Sequence, residues 1–141
     1  VQLSNGDIFM IIRSDRNVQY ASYSKDNGES WSPSGKSNIK SPLSPASVAA
    51  DPYCPGRLVL VWNNNNGDNP IIKGKRTPLN IATSNDDGKT WIKTKTIEDD
   101  PDGSYCYTAI HFTKKSILLG YFDWATRQIT IKKLNRSWVD K

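Results

Sequence analysis

A chain of 141 residues with 36% apolar residues and five Trp can build the core of one folded domain, and at 23% charged residues it is too apolar for a disordered tail. No apolar run reaches the roughly 18 residues that a membrane-crossing helix needs; the longest, Leu58–Trp62 and Ile117–Phe122, have strand length. The net charge of +5 comes from scattered Lys and Arg with no stripe and no nucleic-acid fingerprint, which excludes nucleic acid as a partner and leaves a solvated surface that weakly steers acidic ligands.

Helical periodicity is nearly absent, and short β-rich runs are broken by Gly, Pro, Asn and Asp, which is the all-β pattern. In chain order the first unit reads as strands Val1–Leu3, Asp7–Ser14, Val18–Ser24 and Trp31–Ser34. The second reads as Ala46–Ala50, Arg57–Asn63, Leu79–Ser84 and Thr90–Glu98, and the third as Tyr105–Phe112, Ser116–Trp124, Gln128–Leu134 and Ser137–Val139. Ser4-Asn5-Gly6-Asp7 and Cys54-Pro55-Gly56-Arg57 are tight-turn sequences between first and second strands. Three sets of four antiparallel strands are the content of three propeller blades, with boundaries at 1–40, 41–103 and 104–141 inside a single partial domain 1–141.

An internal repeat decides the architecture. Ser24-Lys25-Asp26-Asn27-Gly28-Glu29-Ser30-Trp31 recurs 60 residues later as Ser84-Asn85-Asp86-Asp87-Gly88-Lys89-Thr90-Trp91. An Asp in a hairpin loop accepts N–H groups of its own turn, the Gly two positions on supplies positive φ, and the Trp lays a large ring over the hairpin. Ser24, Asp26, Gly28, Trp31, Ser84, Asp86, Gly88 and Trp91 therefore read as structural pins. A calcium loop is the weaker reading of Asp-x-Asn-x-Gly, since the twelve-residue ligand series ending in Glu is missing. A lone His111 without a Cys/His cluster predicts no metal site, and no cofactor is implied. Cys54 and Cys106 allow one bridge or two free buried thiols, of which the second is favoured.

The two octapeptides are similar to the Asp-box of the sialidase (neuraminidase) superfamily, Ser-x-Asp-x-Gly-x-Thr-Trp, and the resemblance spans essentially the whole chain. It implies the C-terminal half of a six-bladed BNR-repeat propeller, completed by missing N-terminal blades or by a second copy. It further implies a retaining exo-sialidase acting on sialylated or related anionic glycans at the end away from the boxes. Tyr107, in Tyr105-Cys106-Tyr107-Thr108-Ala109-Ile110, matches the nucleophile segment, and it lies 31 residues after Arg76. Arg13 and Arg76 match two of the arginines that clamp the sugar carboxylate, a task for the planar fork of Arg. A neutral Tyr nucleophile avoids the repulsion that a carboxylate nucleophile would meet from the substrate's own charge.

Asn63 and Asp123 are further expected at the substrate mouth, with Asn66, Asp68 and Trp124 near it. The Glu partner of the nucleophile, the third Arg and the Asp acid/base would precede Val1, so the chain alone is expected to be inactive. The chain starts without a signal peptide, which points to processing or truncation, and the family likeness implies an extracellular or periplasmic setting. Plainer alternatives stand beside these readings: Arg13 paired with Asp15, Arg76 solvated in its loop, Tyr107 a packing residue with Tyr105 as its rival. At the level of the whole protein, the alternative is a glycan-binding propeller without turnover.

Overall fold

A computed structural model describes residues 1–141 as an all-β molecule with a single helical turn at its C-terminal end. Sheet 1 holds β1 (Ile8–Ile12), β2 (Val18–Ser24) and β3 (Gly35–Lys40). Sheet 2 holds β4 (Ser47–Ala50), β5 (Leu58–Asn63), β6 (Leu79–Ser84) and β7 (Ile92–Glu98). Sheet 3 holds β8 (Tyr105–Phe112), β9 (Ser116–Asp123) and β10 (Gln128–Asn135), followed by α1 (Arg136–Val139). All pairs are antiparallel between neighbours in sequence, and the sheets do not close into a barrel. This is the architecture of a partial propeller.

Four strands are present only in sheet 2, which corrects the expectation of four in each unit. Val1–Leu3 forms a single bridge, Gln2 to Ile8, too short to count as a strand. Trp31–Ser34 is the descending limb of the first octapeptide hairpin, and the outer strand of sheet 1 starts after it, at Gly35. Ser137–Val139 is helical, because Arg136 is pulled back against sheet 2. Its guanidinium donates to the buried carboxylate of Asp51 and to the carbonyl of Thr113, and lies 5.5 Å from the centre of the Tyr53 ring. Sheet 3 thus ends in a buried ion pair where sheets 1 and 2 carry octapeptides.

Sheet 2 is the middle layer, and its two central strands show why the sequence folds this way. All six residues of β5 and all six of β6 are buried. With a period of two, Val59, Val61, Leu79 and Ile81 point to sheet 3 and join Ile117, Leu119 and Tyr121 in a cluster of eleven buried residues. Leu60, Trp62 and Ala82 point to sheet 1 and pack with Ile39 in a cluster of four. At roughly 1.5–3 kcal/mol for each large apolar side chain, the sheet 2–sheet 3 seam carries most of the burial energy.

Both octapeptides fold alike. Asp26 accepts from Ser30 N (2.9 Å), Ser30 Oγ (2.5 Å) and Ser24 Oγ (2.8 Å), and Gly28 N donates back to Ser24 Oγ (2.8 Å). Asp86 does the same with Thr90 N (2.9 Å), Thr90 Oγ1 (2.7 Å) and Ser84 Oγ (2.7 Å). The Ser30 and Thr90 hydroxyls, then the backbone N–H groups, hold both carboxyls down at about 2. Gly28 and Gly88 sit at φ +95° and +80°, where a side chain would be strained. Trp91 packs against the sheet 1–sheet 2 cluster, whereas Trp31 is 38% exposed on the first sheet. The hairpins also tie layers together: Ser4 donates through N (2.9 Å) and Oγ (2.5 Å) to Asp87.

Candidate functional site

Strand direction places the octapeptides at one end of the sheets and the expected site residues at the other. In sheet 2 the pairing Leu58–Ser84 marks the octapeptide end and Asn63–Leu79 the opposite one. In sheet 3 the pair Tyr105–Asp123 lies at that opposite end, because Tyr105 N donates to Arg76 O (2.9 Å) across the seam.

Here Arg76 and Tyr107 meet. The Arg76 guanidinium carbon lies 5.9 Å from the centre of the Tyr107 ring. Partial desolvation opposes the Arg76 charge, but the Cys106 thiol and the Tyr107 phenol beside it outweigh that, and its pKa is raised. Tyr107 has φ +56° and falls where the β8–β9 register shifts between Cys106 and Ala109. A bulge of this kind re-aims a side chain, and a left-handed non-glycine residue stores strain of about 1–3 kcal/mol. The result is a phenol 58% exposed on a strand whose neighbours Tyr105 and Cys106 are buried.

The Arg76 loop is held from below by asparagines. Asn63 is 1% exposed; its Nδ2 donates to Arg76 O (2.8 Å) and Pro78 O (3.2 Å), and its Oδ1 accepts from Ser44 Oγ. Asn65 Nδ2 donates to the carbonyls of Ile72, Lys75 (3.1 Å) and Thr77 (3.2 Å), while Gly67 N donates to its Oδ1 (2.9 Å). The acidic segment closes the far side: Thr77 Oγ1 donates to Asp100 O (2.8 Å), and Lys75 pairs with Asp102 at 3.1 Å.

The other expected residues do different work. Asp123 is 9% exposed and accepts from Ser104 N (3.1 Å), Ala125 N (3.0 Å) and Thr126 Oγ1 (2.8 Å). Burial pushes its pKa up, but those donors prevail and it lies below the ordinary value. Its carboxylate shapes the β9–β10 turn. Arg13 follows β1 at the corresponding end of sheet 1, exposed, and its side chain makes no hydrogen bond or ion pair. Asp15, its alternative partner, pairs instead with Arg16 at 3.3 Å. Asn66 bonds Asp68 within its own loop (2.6 Å). Cys54 and Cys106 are free thiols.

Two sets of contacts escaped the sequence reading, one of them made by Trp124, a residue expected near the substrate mouth. Trp124 donates its indole N–H to Cys106 Sγ (3.0 Å) and meets Phe122 edge-on (4.7 Å), yet stays 54% exposed. It is a rigid aromatic plate whose only polar atom is already used. The second feature is a part-buried triad in which the Tyr121 phenol and Lys132 Nζ (2.5 Å) both donate to Glu98 Oε1. Burial, then the bond to Glu98, drives the Tyr121 pKa up, and burial lifts that of Tyr105 to about 12. Neither feature carries a local sequence signal, since each joins residues from separate turns or strands.

The chain belongs to the BNR repeat-like domain family, which it matches over residues 1–121. Among solved structures it is similar to the α-L-arabinofuranosidase Arb93A of Fusarium graminearum. A point mutant of that enzyme with an iminosugar inhibitor superposes with a TM-score of 0.63 at 16% identity, covering 95% of this chain and 43% of that one. The arabinobiose complex of the same GH93 enzyme gives a TM-score of 0.60 at 16% identity, over 96% and 44%. This chain thus spans less than half the length of those structures, and at such identity the likeness is one of fold. No curated protein matches it in sequence. The resemblance drawn from the octapeptides pointed to sialidases, whereas these neighbours are arabinofuranosidases.

Proposed function

We propose that this chain is part of a retaining glycoside hydrolase whose catalytic face lies where Arg76 meets Tyr107, its three sheets forming half of a six-bladed ring. The observation that carries the reading is Tyr107: an exposed phenol held in a strained left-handed bulge beside a cation. Strain at an exposed side chain contributes nothing to packing and is kept where geometry matters. Tyr107 attacks the anomeric carbon and the glycosidic bond breaks; a carboxylate outside this chain takes the phenolic proton, and an acid outside it protonates the leaving oxygen. Water then releases the sugar with retained configuration. Arg76 offers its fork to an acidic group on the sugar, which favours a sialoside or related anionic glycan met outside the cytosol.

Incompleteness of the ring is supported by Ile129 and Ile131 on β10, the edge strand of sheet 3, which are 77% and 78% exposed. A neutral arabinofuranoside is the second reading, favoured by the fold of the neighbours. The test is hydrolysis of a fluorogenic sialoside and a fluorogenic arabinofuranoside by the complete protein and by its Tyr107→Phe variant. Turnover of the sialoside that Tyr107→Phe abolishes supports the first reading; turnover of the arabinofuranoside alone selects the second. Binding of either glycan without turnover would instead make the protein a glycan-binding propeller, and equal activity of the variant removes Tyr107 from the chemistry.

A further inference from the structure

A cleft lined by none of the residues around Tyr107 opens elsewhere in the molecule. It lies between sheet 1 and the second octapeptide, at the other end of the sheets, and measures about 450 Å³. Its floor is fixed by apolar packing: Phe9 and Ile39 are buried, and a Cβ added to Gly88 would come within 3.3 Å of the Phe9 ring. Tyr23 stacks on Phe9 (5.2 Å, 24°) and remains 39% exposed beside the opening. Lys36 of β3 and Lys89 of the octapeptide stand at the walls. Asn38 Nδ2 donates to Lys89 O (2.8 Å) and fixes the distance between those walls.

Charge is what distinguishes this cleft. No carboxylate lines it, and neither lysine enters an ion pair. The acids nearest Lys89, Asp86 and Asp87, turn their carboxylates to Ser84, Thr90 and Ser4 and lie outside the cleft lining. A smaller hollow shares Tyr23 and Ser32 and adds Lys25, again without an acid. In the corresponding cleft between sheets 2 and 3 the chain itself consumes the lysines. Lys95 lies 5.8 Å from the centre of the Trp138 ring, and Lys93 donates to Asp140 O.

We propose that the sheet 1 cleft is a second glycan site, separate from the catalytic face, for a saccharide bearing carboxylate or sulfate groups. The sugar ring lies against Tyr23, and its anionic group sits between the ammonium groups of Lys36 and Lys89. An aromatic plate with a few convergent polar groups is the usual composition of such a pocket, and two lysines held in no ion pair favour an acidic ligand. The site rests on geometry independent of Tyr107, so its failure and that of the proposed activity are separable.

The experiment is titration of the protein by calorimetry with trigalacturonate, a heparin-derived tetrasaccharide and neutral maltotriose. The account expects binding of at least one acidic saccharide, weakened about tenfold in Lys36→Ala/Lys89→Ala and weakened again by about 0.5 M salt, with Tyr107→Phe binding as the parent does. The two acidic probes tell carboxylate from sulfate. Hydrolytic activity of the double lysine variant stays at the parent level. The proposal is overturned if neither acidic saccharide binds, if maltotriose binds equally well, or if Arg76→Ala rather than the lysine pair abolishes binding.

Discussion

Replacing Asn63 by Ala should loosen the proposed catalytic face from beneath. The side chain is 1% exposed and makes three hydrogen bonds, to Arg76 O, Pro78 O and Ser44 Oγ. At about 1 kcal/mol net for each buried bond, the loss is about 3 kcal/mol, or about 6–12 °C in Tm for a chain of this size. Arg76 O keeps its bond from Tyr105 N, so the loop shifts rather than unfolds. A shift of about 1 Å in a clamping group costs roughly 100-fold in kcat/KM. Asn80→Ala serves as the control, because Asn80 is also buried and bonds Thr96 Oγ1 (3.1 Å) and Lys95 O (3.3 Å), touching neither Arg76 nor Pro78. Urea denaturation and steady-state kinetics on both variants decide the matter. If Asn63→Ala loses less than about 1 kcal/mol, or loses stability with kcat/KM no worse than in Asn80→Ala, then Asn63 does not position Arg76.

Tyr107→Gly should change stability by no more than about 1 kcal/mol, because release of left-handed strain of roughly 1–2 kcal/mol offsets the entropy of glycine and the loss of a half-exposed ring. Tyr105→Gly, at a buried position with no positive φ, should cost about 3–5 kcal/mol in the same urea series; equal losses would mean that Tyr107 is not strained. The octapeptides make stability fall in acid. Asp26 and Asp86 are held at about 2 when folded, against an ordinary carboxyl value of 3.8. The unfolded chain takes up these protons first, so the contribution is complete above about pH 5, declines as the pH falls through the folded value of about 2, and is gone only below it. Tm measured from pH 6 to 2 should drop in that window, and an Asp26→Asn/Asp86→Asn variant should show a shallower drop; parallel curves would remove the octapeptides as the cause.

Strands were legible where pattern and position agreed. β6 and β8 have the expected bounds because β-rich runs between Gly, Pro and Asp leave little choice. β3 was missed because Trp31-Ser32-Pro33-Ser34 continues an apolar-looking hairpin, while Gly35–Lys40 is polar and takes its strand from pairing with β2. Ser137–Val139 has strand-like residues, but a buried Asp51, 85 residues away in sequence, draws Arg136 inward and turns the chain helical. At the site, the sequence register brought Arg76 and Tyr107 to one end, which is where they lie together. The duties of Asn63 and Asp123 were hidden for the same physical reason. A polar side chain serves a ligand or its own backbone according to burial, and burial is decided by strands far off in sequence. The bulge at Tyr107 was hidden too, since tyrosine does not ordinarily adopt positive φ.

The most direct measurement is to trap the nucleophile. The complete protein is incubated with a fluorinated glycosyl fluoride of whichever sugar it hydrolyses, and the labelled peptide is located by mass spectrometry. The account predicts one sugar added to the phenol of Tyr107, with Tyr107→Phe unlabelled. A label on any other residue, or turnover with no covalent intermediate, would contradict it.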